Sequence, residues 1–142
     1  MALDTEAESE KAEQAHERYR GVGLALMTTV IGLSTGALYE LGKEASLRGM
    51  ARLFFVPICA CLVQQLAHYL GSQHQAKSLR HWSRWLGKHE RKDPADDQMK
   101  ELDARFAEMG KAECWYTAAD YACSAAVLLF IGIGAFVCAT KF

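Results

Sequence analysis

The sequence predicts an all-α integral membrane protein with three transmembrane helices, and a cytoplasmic amphipathic two-helix segment between the second and third. Three observations carry this. Residues 22–39, 53–76 and 121–140 contain no Asp, Glu, Lys or Arg. Each run approaches or exceeds the roughly 20 apolar residues with which a helix crosses the hydrocarbon core. The runs are uncharged all the way round, whereas a buried helix of a small soluble bundle usually keeps a charged face. Hydrophobic residues make up 51% of the 142, and the net charge of −1 gives no bias toward nucleic acid.

The first 20 residues form a polar leader with helical character, rich in Glu and holding only a thin stripe of Ala7, Ala12 and Ala15. A secretory signal peptide would open with a basic region and a shorter apolar core. Asp4, Glu6, Glu8 and Glu10 open this chain instead, so the first helix is expected to be retained.

Transmembrane helix 1 is assigned to residues 21–41 and a short external connection to 42–50. Transmembrane helix 2 follows at 51–71, with Pro57 tolerable if it lies in the first turns. Residues 72–116 form the one large extramembrane segment, and Asp93-Pro94 divides it. Before that break, Leu79, Trp82 and Leu86 share one face and Arg80, Arg84 and Lys88 another. This suits either a helix in the membrane interface or the extended end of helix 2. Asp93 is expected to cap the next helix. Met99, Leu102, Phe106 and Met109 then form an apolar stripe, which must cover the neighbouring helix, the end of the bundle or the same stripe of a second copy. Transmembrane helix 3 takes residues 117–140, with Trp115 and Tyr116 at one interface and Lys141 and Phe142 at the other.

Orientation follows from the basic residues. With three spans, the leader and the 72–116 segment share a side. Together they hold 12 of the 16 Lys and Arg. Positive charge stays in the cytoplasm. The N-terminus is therefore expected inside and the C-terminus outside, in what reads as a bacterial cytoplasmic membrane.

Few residues could carry chemistry. Thr28, Gly32 and Gly36 line one side of helix 1, where small residues let backbones approach in lipid. Gly132 and Gly134 offer related surface on helix 3. Helix 2 is the most polar span, with Gln64, Gln65 and His68. Polar groups at depth are costly and turn toward partners or water. Topology brings Asp120 and Ser124 to the levels of His68 and Gln64, so a His68–Asp120 pair is expected. Glu40 marks the outer end of helix 1 and could join a charged ring around an axis. His74, His81 and His89 are expected to be solvated. The five cysteines, odd in number and mostly within spans, suggest core thiols.

The chain has no His-Glu-x-x-His, phosphate-binding glycine loop or Cys-x-x-Cys, and its one Gly-x-Ser-x-Gly spelling, Gly32-Leu33-Ser34-Thr35-Gly36, lies inside an apolar span rather than on the strand-to-helix turn which that motif requires. The chain is expected to be non-catalytic and without cofactor or metal. Its expected partners are the lipid bilayer and further copies of itself. A pore or membrane-permeabilising function fits best. The alternatives are an accessory or immunity-type subunit of a larger membrane protein and, less favoured, a haem-bearing anchor using His68.

Overall fold

A computed structural model of the chain describes residues 2–141. These residues hold helices and no strand. Helix α1 spans Ala2–Gly42. Three short turns follow: a 3₁₀ turn at Ala45–Leu47, helix α2 at Arg48–Ala51 and a second 3₁₀ turn at Arg52–Phe54. Helix α3 spans Phe55–Glu90 and α4 spans Ala95–Lys141. Three helical segments are long and apolar enough to cross a membrane.

The element boundaries have local causes. Pro57 is the third residue of α3, where its missing N–H takes nothing from the helix. Helix α3 stops in a Schellman turn: the Asp93 N–H donates to the Lys88 carbonyl at 3.0 Å and the Lys92 N–H to the His89 carbonyl at 3.1 Å. Lys92 takes the left-handed position with φ 56°, where glycine is the usual occupant. Pro94 then blocks continuation, and its carbonyl accepts the Asp97 and Gln98 N–H groups to start α4. The carboxylate expected to cap α4 is turned elsewhere. Asp93 lies one residue before Pro94, and its side chain accepts from Arg91 at 3.4 Å. Its backbone carbonyl accepts from the Gln98 amide at 2.9 Å.

Residues 72–116 are thus the end of α3, the turn at 91–94 and the beginning of α4, with no break between either helix and its apolar span. Residues 2–20 likewise belong to α1. Phe142, expected at the outer interface, lies outside the described residues.

The chain divides into two compact units. One takes the chain up to Cys61 and resumes at Cys123; the other is Leu62–Ala122. The first unit has a small apolar core of Met27, Val30, Cys61 and Ala126, flanked by Ile31, Ala60, Cys123 and Phe130. The Phe54 and Phe130 rings meet edge to face, centroids 6.0 Å apart. At the end of this unit the Thr140 hydroxyl donates to the Met50 sulfur at 3.6 Å, and Lys141 stands 3.9 Å from Glu44. Most other large apolar side chains of the spans point outward, as lipid-facing residues do.

The second unit is an antiparallel hairpin of α3 and α4. Small residues close its apolar half: Ala67, Gly71, Ala112 and Ala119 are buried, so the backbones approach closely. A Cβ on Gly71 would stand 2.8 Å from the Tyr116 ring. The charged half is closed by polar contacts.

Candidate functional site

The polar side of α3 gathers part of the expected constellation. Gln64 is buried and its side-chain oxygen has no hydrogen-bond partner. One turn on, the half-buried His68 ring stands 5.4 Å from that of Tyr116. The Tyr116 hydroxyl donates to the Gln75 side-chain oxygen at 2.6 Å. Gln65, Asp120 and Ser124 point outward. Glu40 also points outward, but Lys43 donates to it at 2.8 Å and lies 4.3 Å over the Tyr39 ring. The carboxylate expected for an outer ring therefore carries its own counter-ion.

In α1, Thr28, Gly32 and Gly36 are all exposed, and a Cβ on either glycine would meet nothing within 4 Å. The same open space surrounds Gly132 and Gly134. Thr28 donates to the Leu24 carbonyl at 2.9 Å, so its hydroxyl is satisfied within the helix. Ser34, fully buried on the other side of α1, has a hydroxyl oxygen without a partner.

Of the three histidines expected in solvent, His89 is exposed, whereas His74 and His81 are half-buried. His74 and His81 lie seven apart on α3, and Glu101 and Glu108 lie seven apart on α4. In an antiparallel pair this repeat brings each imidazole to a carboxylate. His74 Nδ1 lies 2.6 Å from Glu108, and His81 Nδ1 lies 2.8 Å from Glu101. Lys88 also donates to Glu101 at 3.1 Å, and His89 lies 3.1 Å from Gln98. An ionised carboxylate only accepts, so each bridging imidazole carries its proton on Nδ1. The matching seven-residue spacings were present in the sequence; only the pairing of α3 with α4 gives them meaning.

Beside this seam runs a column of planar groups. The Arg105 guanidinium lies 4.0 Å above the Trp82 ring. Trp82 stacks on Trp85 at 4.8 Å and Trp85 on His89 at 4.9 Å. Trp82 and Trp85, expected at a membrane interface, are half-buried, and the Arg105 contact ties Trp82 to α4. Trp115, expected there as well, remains exposed, while Tyr116 packs on Gly71.

The bridges shift the carboxylates. Hydrogen bonds from His81 and then Lys88 hold the Glu101 carboxyl below its ordinary range. The bond from His74 does the same for Glu108, burial opposing it and Lys111 assisting. A carboxyl with a lowered folded-state pKa stabilises the fold above its unfolded pKa, about 4.3 for Glu. That contribution is lost as pH falls through the lower folded value. Carbon-detected NMR should therefore find both carboxyl midpoints below that of free Glu, with hairpin amides losing exchange protection over the same acid range. Midpoints at the free value would show that the bridges do not persist in solution.

Among the described residues, no group of three or more His, Cys, Asp or Glu is placed to hold a metal ion. No disulfide joins any of the five cysteines. An open groove of about 450 Å³ between Leu53 and the Leu129, Gly132 and Phe136 face of α4 is apolar throughout. Comparison with known proteins finds no matching family model, no similar curated protein and no similar solved structure.

Proposed function

We propose that this chain is a small integral membrane protein that works as a self-associated assembly, forming a pore or permeabilising the membrane, with its N-terminus and charged hairpin in the cytoplasm. The observation that carries the reading is the open Thr28, Gly32 and Gly36 face of α1. Among the described residues, no side chain fills the space beside either glycine. In lipid, a small-residue face gains its energy from a helix packed closely against it. Gln65 and Ser124 support the same reading, because they point out of the spans. A polar group facing hydrocarbon is costly, and a second copy or a water-filled lumen removes that cost. The distribution of Lys and Arg supports the orientation.

Reconstitution into liposomes tests the pore directly. The wild-type chain is expected to release a trapped ion, and Gln65→Leu to suppress the release while leaving the assembly's mass unchanged. An assembly that releases nothing would exclude the pore. It would favour a second reading, a non-catalytic subunit bound to a larger membrane protein. The exposed Met99 and Phe106 side chains, which offer a protein partner an apolar surface, favour that alternative.

A further inference from the structure

The charged half of the hairpin has two unlike flanks. The bridges His74–Glu108 and His81–Glu101 fix which residues face the partner helix. The Gln75–Tyr116 bond fixes which sides of the two helices adjoin, since each of these residues lies one position past the seam. On that side, one row further out, lie Leu79, Leu86, Met99 and Phe106, with Met109 beside them. Their exposures are 59%, 40%, 56%, 65% and 45%. Lys77, Arg80, Arg84, Lys100 and Lys111 fall on the opposite flank, all exposed. No Lys or Arg lies on the apolar flank, and its acidic residues, Glu113 and Glu90, stand at its two ends.

We propose that this apolar flank is the docking surface for the same flank of a second copy, so that two hairpins close into a four-helix bundle. Five large apolar side chains on one side of a two-helix element mark an interaction surface rather than scattered exposure. Lipid is poorly placed to cover it. The uncharged run of α3 ends at residue 76, and the helix continues unbroken to Glu90. At 1.5 Å per residue the far end stands up to about 20 Å beyond the run.

Charge and register favour a second copy. Pairing like flanks turns both basic flanks outward, so the cations of the two copies stay apart. Copies inserted in one direction also present matching heights. By the bridge register, Phe106 stands within one helical turn of the level of Leu79, and Met99 within one turn of that of Leu86. Each apolar layer therefore meets an equal layer, as in bundles of paired hairpins. The inference rests on the self-association reading but not on the pore.

Crosslinking in liposomes tests it on the full chain, with the five native cysteines replaced by Ala. Phe106→Cys should give a covalent dimer with a short bismaleimide, and Arg84→Cys on the basic flank should not. Gly36→Cys serves as the reference for contact through the spans. Dimer from Gly36→Cys without dimer from Phe106→Cys would overturn the hairpin pairing and leave self-association standing. No dimer from either, with a monomeric native mass, would overturn both. A fluorophore on Phe106→Cys quenched by lipid-borne quenchers would show lipid on the flank and overturn the pairing. Phe106→Asp is a second check: it should abolish crosslinking from Leu79→Cys, which dimerises when Phe106 is intact.

Discussion

Gly71→Ala is expected to destabilise the hairpin by about 1–3 kcal/mol, the usual cost of overpacking a filled interface. The added carbon would stand 2.8 and 2.9 Å from two carbons of the Tyr116 ring, closer than real contacts allow. The ring is not a loose chain end. Its hydroxyl is bonded to Gln75 at 2.6 Å, and the ring stands tilted against that of His68, centroids 5.4 Å apart. Swinging it aside breaks both contacts; keeping it forces α3 and α4 apart where the neighbouring residues are buried alanines. Thermal unfolding in detergent, or steric trapping in bilayers, reads the effect. The control is Tyr116→Ala. With the ring gone, Gly71→Ala should cost much less, and a double-mutant cycle gives the coupling. Equal effects in both backgrounds would show that glycine is not required by that ring.

Gly36→Ile should separate folding from association. A Cβ at Gly36 meets nothing within 4 Å, so the isolated chain has room for the larger side chain. Its fold and helix content should be unchanged. A helix packed on the Thr28, Gly32 and Gly36 face would be pushed away, because close approach is the source of its attraction in lipid. The expected result is a loss of at least about tenfold in the association constant, or ~1.4 kcal/mol. Energy transfer between labelled copies in bilayers measures it, and Gly32→Ile should act in the same direction. Unchanged association would show that this face meets lipid, and the assembly would have to be sought elsewhere. Loss of fold would show that the face packs within the chain.

Much of the fold was legible because it follows from solvent rather than from packing. A run of uncharged residues long enough to cross hydrocarbon must be helical there, since only internal hydrogen bonding satisfies its backbone. That placed all three apolar helices without any tertiary contact. Pro57 and Asp93-Pro94 were readable in the same way, as backbone chemistry acting within a few residues. The capping expected of Asp93 failed because two competing partners were close at hand. Arg91 took its carboxylate, and Pro94, one residue later, supplied the carbonyl that starts α4.

The polar chemistry was less legible because it depends on which helix faces which. His74 and His81 look like ordinary solvated residues along α3, and Glu101 and Glu108 look like a charged face of α4. Their common seven-residue spacing becomes four interlocking partners only when the helices run antiparallel in one register. Register likewise decided the Met99, Leu102, Phe106 and Met109 stripe. Its periodicity is plain in the sequence, but only the tertiary structure shows that the seam takes the adjacent row and turns most of the stripe outward. The sequence by itself determined what must leave water, since hydrophobicity is a property of each residue. Only the tertiary structure decided which polar groups meet, since a hydrogen bond needs two groups within about 3 Å and local sequence does not fix that distance between helices.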